Sequence, residues 1–201
     1  MAPMRTGYWL LIIALAVLVT GMVATWRGTR QAAASAAIMT RVGTVKEIME
    51  GIVDPSADVV WESVATNITA AGVEEKSPKT DDEWAAVQHS ALMLAEAANL
   101  LKMKGREIAR PGDIDKSGPD APELTPPEIQ EKVNRDWSLW ITHANRLQET
   151  AIKAWGVANA RDVNGIVEVG DAIDKACESC HLEYWYPDLK KPRNERAGSR
   201  R

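Results

Sequence analysis

The 201-residue sequence contains no phenylalanine, only two cysteines and only three histidines. Eight tryptophans must therefore supply most of the aromatic bulk of any core. No Ser-His-Asp set, pair of carboxylates or phosphate-binding loop rises above the background of chance matches. Alternation of apolar and polar residues, the pattern typical of strands, is missing over any useful length. Because these features are absent, the sequence shows no candidate catalytic residues, and we expect that the chain is not an enzyme.

The body of the chain also lacks positive charge. The net charge is −4, yet residues 190–201 carry +5 and residues 1–30 carry +3, which leaves −12 for residues 31–189. A protein that binds nucleic acid would present a basic face on its body. We therefore expect no nucleic-acid partner, and we interpret residues 190–201 as a basic, solvated C-terminal tail.

Both cysteines lie in Cys177-Glu178-Ser179-Cys180-His181, a C-x-x-C-H motif. This motif is the attachment signature of c-type haem. Two thiols must reach the two vinyl groups of one porphyrin from the same side, and the adjacent imidazole must reach the iron. On a helix, positions i, i+3 and i+4 share one face. The motif therefore predicts one haem c, covalently bound by Cys177 and Cys180, with His181 as a ligand of its iron.

A redox pair, a zinc site and a structural disulfide all account for the cysteines less well than haem does. A thioredoxin-like C-x-x-C would lie near a βαβ pattern, and none is visible. A zinc site needs a fourth ligand, and His89 and His143 show no paired spacing. A structural disulfide would account for the cysteines but not for the histidine. We expect His89 to lie on the surface, His143 to flank an apolar stripe, and neither to bind metal.

Residues 8–24 carry no charge and are almost wholly apolar. As a helix they would span roughly 26 Å, with Trp9 and Trp26 at positions suited to a membrane interface. A cleaved signal peptide is the alternative, since small residues follow at 32–36, but WRGTRQ separates them from the apolar run. We therefore predict an uncleaved anchor, a single transmembrane helix within a segment of residues 1–31. Arginines on both sides of the run leave its orientation ambiguous.

Residues 32–189 show helical periodicity interrupted by turn signals. The first stripe includes Met49, and Asp54-Pro55 is predicted to end that helix and start a second segment that reaches Ile68. The next helix opens with a capping box at 80–83 and is predicted to stop at Gly105. The long, proline-rich loop 105–125 follows. The stripe of the first helix consists of Ile38, Val42, Val45, Met49 and Ile52.

Two further helices, the third and the last, complete the predicted set. A second capping box at 125–128 opens one predicted helix that runs unbroken to Ala158. Its tryptophans, Trp137, Trp140 and Trp155, are interpreted as core or haem-packing residues. The last helix is predicted to start near Asp162, to carry the C-x-x-C-H motif and to end before Pro187. The stripes predict an all-α fold, an antiparallel four-helix bundle that binds haem between its helices.

A C-x-x-C-H motif towards the end of the last of four helices resembles the cytochrome c′ family. The family habit of an aromatic three residues beyond the histidine is matched by Tyr184, whereas Trp185 stands where a basic residue is common. The resemblance covers roughly residues 32–189 as architecture, and only the haem motif is specific at the level of residues. The family binds its iron in two ways. Either an apolar residue of the first helix closes the distal face, or a methionine of that helix is the sixth ligand.

Met49 is the methionine on the apolar stripe of the first helix. A methionine in this position is usually a core residue. The resemblance instead implies that it completes the coordination of the iron together with His181. We expect Met49 and His181 to be the two metal ligands supplied by the chain.

The resulting hypothesis is a membrane-anchored c-type cytochrome that transfers single electrons between redox proteins of a respiratory or photosynthetic chain. Its haem domain would face the periplasm from the cytoplasmic membrane, or be periplasmic if the N-terminal segment is cleaved. Two alternatives remain. One is a five-coordinate protein that binds nitric oxide or carbon monoxide, and the other is a haem subunit of a larger membrane complex. The resemblance also leaves room for a homodimer.

Overall fold

The computed structural model describes residues 15–22, 40–70, 72–113 and 123–190. The chain divides into two compact units, Met1–Val42 and Gly43–Arg201. The predicted boundary at residues 31/32 and nearly all of the predicted tail at 190–201 lie outside the described residues.

In the first unit, residues 15–22 are helical and their apolar side chains are exposed. The hydroxyl of Thr20 donates to the carbonyl oxygen of Ala16 at 2.8 Å, one turn earlier. The rest of the predicted transmembrane run, residues 8–14 and 23–24, lies outside the described residues. Among the helices that the structure describes, none combines the length and the apolar character needed to span a bilayer.

The second unit is mostly helical, which confirms the all-α prediction at the level of overall content. Helix α1 is followed directly by a π-helical turn at Met49–Val53, and a 3₁₀ turn at Pro187–Lys190 follows the last helix. The described elements are α1 (Val45–Ile48), α2 (Asp54–Glu62), β1 (Ala65–Thr69), β2 (Gly72–Lys76), α3 (Asp81–Leu101), α4 (Pro126–Arg135), α5 (Trp137–Asn159) and α6 (Val163–Tyr184).

The helix starts follow from their capping residues. At the start of α3, Thr80 accepts a hydrogen bond from the Glu83 amide at 3.2 Å, and the Thr80 amide donates to the Glu83 carboxylate at 2.8 Å. These reciprocal bonds satisfy amides that the helix leaves without partners. Helix α6 starts as predicted at Asp162, whose carboxylate accepts from the Gly165 amide at 3.0 Å. The predicted capping box at Thr80 and the predicted helix start near Asp162 are therefore both confirmed.

The second helical segment starts at Asp54, as predicted, but a π-turn joins it to the first segment without a break, and no side chain caps it. A proline inside a helix removes one hydrogen bond and crowds the preceding turn. Here the turn widens, and the Asp54 amide donates to the carbonyl of Met49, five residues back. The helical segment accommodates the proline through this π-turn and continues as helix α2 to Glu62. The segment starts only at Val45, so Val42 of the predicted stripe is exposed.

Two predictions about elements are wrong. Strands Ala65–Thr69 and Gly72–Lys76 pair as an antiparallel hairpin in place of the expected helix to Ile68, and Ile68 pairs with Val73 across it. All ten strand residues are exposed, so no buried face produced a readable alternation. The predicted third helix is divided at Asp136, whose φ of −132° and ψ of 75° are not helical. The Asp136 carboxylate accepts from the Leu139 amide at 2.9 Å and so caps a new helix, α5.

The core lies between helices α2, α3, α5 and α6. Helix α2 packs against α3 and α6, α3 packs against α5, and α5 packs against α6, while α4 contacts α5 and α6. Both predicted stripes of α3 and α5 face inwards, apart from a partly buried Trp137. The buried stripe of α3 comprises Trp84, Val87, Ala91, Leu94, Ala98 and Leu101.

The first part of the connection between α3 and α4 closes one end of this core. The amides of Val45 and Lys46 donate to the carbonyls of Glu107 and Ile108 at 2.8 and 2.9 Å. The buried guanidinium of Arg106 donates to the carbonyls of Leu100 and Gly43. Helix α3 ends at Leu101, four residues before the predicted stop at Gly105, which adopts a positive φ of 78° in the turn that follows. The loop thus holds the start of α1 against the end of α3.

Candidate functional site

Cys177, Cys180 and His181 lie near the C-terminal end of α6 and line one cavity, which we call the cysteine cleft. Their spacing puts all three on one side of the helix, as the sequence predicts. The cleft has a volume of about 80 Å³ and opens to solvent at its mouth. This volume is below the range of about 300–1,000 Å³ usual for small-molecule and cofactor sites, so a larger ligand would also occupy the space at the open mouth.

The other walls of the cysteine cleft are mainly apolar and come from the π-turn, α2, α3 and α5. An apolar wall suits a flat aromatic ligand, because burial of both surfaces from water provides the main part of the affinity. The residues that line these walls are Met49, Val53, Asp54, Ala57, Trp61, Leu101, Trp140, His143, Ala144 and Leu147.

Two tryptophans of these walls are fixed by hydrogen bonds. The indole N–H of Trp61 donates to the carbonyl of Gly170 at 2.9 Å, and that of Trp140 donates to the carbonyl of Leu101 at 2.8 Å. A Cβ atom at position 170 would meet Trp61 Cδ1 at 3.3 Å, so glycine permits this close approach. Each indole therefore presents a ring in a defined orientation.

Met49 and Asp54 reach the cleft because of the π-turn. Five residues separate them, and in an α-helix side chains five apart point in different directions. In a π-turn, residue i+5 bonds back to residue i, which brings the two onto a common side. Both side chains line the cysteine cleft, and both also line an adjoining cavity together with His181.

The adjoining cavity is more polar and has a volume of about 300 Å³. Lys46, Glu50 and Asp113 are among its lining residues, and Lys46 Nζ lies 4.0 Å from an oxygen of each of the two carboxylates. The His181 ring packs edge-on against Trp185 and Tyr186, with ring centroids 5.7 and 6.0 Å away. His181 therefore borders both cavities and is held by aromatic neighbours that follow it in the chain.

Both cysteine side chains are free thiols. Burial raises the pKa of Cys177 to about 11 and that of Cys180 to about 12, with nearby negative charge as a further cause. In thioredoxin-like pairs and in metal-binding thiolates, the environment lowers the pKa of the thiol. The surroundings of Cys177 and Cys180 act in the opposite direction, which disfavours a thioredoxin-like redox pair.

His143 lies on α5 and forms part of the cleft wall. Its Nδ1 is 3.4 Å from the hydroxyl of Ser179, which also accepts from Arg146 at 3.3 Å and donates to the Ala176 carbonyl at 3.0 Å. The tautomer of His143 decides which of the two groups donates in the contact with Ser179. Burial, followed by the charge of Arg146, lowers the pKa of His143, so its neutral form is favoured.

Tyr184 is 1% exposed and packs edge-on against Trp140, with ring centroids 5.1 Å apart. Its hydroxyl oxygen is buried and has no hydrogen-bond partner, the only such side-chain atom among the residues that the structure describes. Burial raises the pKa of this phenol above its usual range. Tyr184 therefore acts as a packing residue whose ring contacts the rings of Trp140 and His143, and not as a titrating group.

The structure brings the predicted site residues Cys177, Cys180, His181 and Met49 to one cavity. Trp140 lines the cavity, but Trp155 is 44% exposed, so the prediction that it is a core residue is wrong. His89 is exposed, as expected.

Sequence reasoning misses Trp61 and Asp54 as cleft residues. The sequence indicates a helix cap at Asp54, and only the π-turn directs this residue towards the cavity. Trp61 lies on a recognisable apolar stripe, but nothing in the sequence distinguishes a cavity wall from a packed core.

The chemistry of the side chains in the cleft fits the predicted group. Two neutral thiols on one helix face can form thioether bonds to a flat cofactor that carries two vinyl groups. An imidazole and a thioether are the side chains that commonly bind haem iron in electron carriers. Within residues 15–22, 40–70, 72–113 and 123–190, no three His, Cys, Asp or Glu side chains form a metal-binding cluster.

Comparisons of the chain with protein-family models, with curated proteins and with solved structures give no match, so the site is interpreted from its own residues.

Proposed function

We propose that the chain is a c-type cytochrome that carries single electrons between redox proteins. Cys177 and Cys180 would hold one haem c by thioether bonds, with His181 and Met49 as the axial ligands of its iron. The bound haem would accept one electron from a reduced partner protein and pass it to an oxidised one. The observation that carries the proposal is that one apolar cleft contains both thiols, the imidazole of His181 and the thioether of Met49.

The residues of the chain would support this role in three ways. Trp61 and Trp140 present fixed aromatic walls that exclude water from a bound macrocycle. Trp185 and Tyr186 restrict the orientation of the His181 ring. The negative charge of residues 31–189 would attract a partner with a basic surface and accelerate encounter.

The finer architecture belongs to the same proposal. The packing of α2, α3, α5 and α6 supports an antiparallel four-helix bundle of the cytochrome c′ type. The apolar run at 8–24 supports anchorage in the cytoplasmic membrane, with the haem domain in the periplasm, where c-type haem is attached. Such an anchor would keep the carrier beside its partners in a respiratory or photosynthetic chain.

The proposal is tested by staining for covalent haem. The full chain is produced in a bacterial host with periplasmic haem attachment, separated on a denaturing gel and stained for haem peroxidase activity. The wild type should stain, and a variant with Cys177→Ser and Cys180→Ser should not. Glu178→Ser is the matched control, because Glu178 is exposed at a variable position of the motif, and it should keep the stain. A stained band in the double variant, or an unstained wild type, would overturn the proposal.

A further inference from the structure

Asp54 is a carboxylate on the wall of the cysteine cleft that is neither a thiol anchor nor an iron ligand of the proposed haem. It is the first residue of α2, directly after the π-turn. It lines the cysteine cleft and the adjoining cavity, and among the described carboxylates only Asp54 is shared by the two. Met49 and His181, the two proposed iron ligands, are likewise shared by both cavities.

The position of Asp54 follows from the local fold. Pro55 prevents a regular α-helical bond at this point, and the resulting π-turn places Asp54 on the side of Met49. No side chain caps the start of α2, which simply continues from the π-turn. The Asp54 carboxylate therefore lines the two cavities and does not cap the backbone amides at the start of α2.

Charges of both signs act on this carboxylate. Burial raises the pKa of Asp54, the positive charge of His181 lowers it, and the neighbouring Asp58 and Glu50 raise it. Asp54 in turn contributes to the raised pKa of Cys177. Lys46 lines the adjoining cavity as well, but its ammonium group pairs with Glu50 and Asp113. Asp54 thus acts electrostatically on two of the residues that would hold the haem.

We propose that Asp54 is a positioning residue that lowers the reduction potential of the haem through its negative charge beside His181. The inference rests on the proposed function. The oxidised site carries one more positive charge than the reduced site, so a nearby carboxylate stabilises the oxidised form more. A carboxylate next to a metal-binding histidine also increases the basicity of that ligand, which acts in the same direction.

The test is a redox titration of the purified holoprotein, followed by absorption, at constant pH and ionic strength. Asp54→Asn should raise the potential, so that the reduced-to-oxidised ratio at a fixed applied potential increases between about three- and tenfold. The upper limit corresponds to ~59 mV for a one-electron couple. Asp54→Glu should restore a potential close to that of the wild type, because the charge returns.

Asp58→Asn is the matched control. Asp58 is exposed one turn further along α2 and lines neither cavity, so its loss changes the net charge equally without changing the cavity wall. Equal shifts for the two Asn variants would overturn the inference, since Asp54 would then act only as general surface charge. Loss of covalent haem stain in the wild type would instead refute the proposed function, so the two failures are distinguishable.

Discussion

Met49 is the residue on which the choice between electron transfer and gas binding depends. Met49→Leu keeps the apolar volume but removes the sulfur, so the oxidised protein should lose the weak sulfur-to-iron band in the far red and become high-spin. It should also bind carbon monoxide readily and fall in potential, because a thioether favours the reduced iron. Absorption spectra of both redox states, with and without carbon monoxide, measure these changes.

Met93→Leu is the control for this substitution, because Met93 lies on α3, is 50% exposed and is not part of the cleft. It should leave the spectra unchanged. A wild type that is already high-spin and binds carbon monoxide as fast as Met49→Leu would make Met49 a core residue. The gas-binding alternative would then account for the site better than electron transfer.

The buried hydroxyl of Tyr184 leads to a second prediction for a single residue, which concerns the free energy of unfolding. An unpartnered buried polar group costs about 1–3 kcal/mol, so Tyr184→Phe should raise the free energy of unfolding by about 1 kcal/mol. Tyr184→Ala should lower it by about 3–5 kcal/mol, because the ring fills the space beside Trp140. Urea unfolding followed by circular dichroism measures both.

Tyr186→Phe is the contrasting case, because its hydroxyl donates to the Glu178 carboxylate at 2.9 Å on the exposed side of α6. Its removal should cost no more than about 1 kcal/mol. If Tyr184→Phe proves more destabilising than Tyr186→Phe, the Tyr184 hydroxyl has a partner in solution and the prediction is wrong.

Single residues also show what the sequence could and could not predict about the site. The common face of Cys177, Cys180 and His181 follows from helical spacing alone, which is local information. The cleft positions of Trp61 and Asp54 depend on how α2 is rotated relative to α6, and that rotation is set by packing between elements far apart in the sequence. Local patterns do not contain it.

At the scale of elements, helix starts are predictable because caps are local. Thr80, Thr125 and Asp162 each precede a helix where the sequence indicates it. Thr44 opens the same T-x-x-E pattern, with Glu47 at its end, but the apolar stripe extends beyond it towards the N-terminus and hides the signal. Where stripe and cap disagree in this chain, the helix follows the cap.

The π-turn and the hairpin are not predictable for a different reason. Pro55 is compatible with a helix break or with a widened turn, and the burial of Val53 and Ala57 on the continuing segment favours the second. The hairpin has no buried face, so its strands show no alternation to recognise. Where burial does not constrain a segment, hydrophobic periodicity carries little information about it.

At the scale of the whole molecule, the apolar N-terminal segment leads to a prediction about where in the cell the protein is located. If residues 8–24 remain as an anchor, the mature chain should begin before Tyr8, and carbonate washing of membranes should not release it. The apolar run would be held by the hydrocarbon core, which carbonate does not disrupt. N-terminal sequencing and immunoblotting of the washed fractions provide the measurements.

A variant that lacks residues 1–31 and carries a cleavable export signal is the control, and it should be recovered in the soluble periplasmic fraction. A mature wild-type chain that begins at Ser35 or Ala37 would show instead that the segment is a removed signal. The haem domain would then be a free periplasmic carrier.

The late position of α6 along the chain has a consequence for the order of biogenesis. The walls of the cysteine cleft extend from Met49 to His181, so the cleft does not exist until the C-terminal helix has been synthesised and docked. In an unfolded chain the thiols have their ordinary pKa of about 8.5. After docking, a pKa of about 11 for Cys177 leaves it almost entirely protonated at neutral pH. If the proposed haem is attached through these thiols, attachment should therefore be faster on a nascent or exported chain than on a folded one, in which both cysteines are half-buried and protonated.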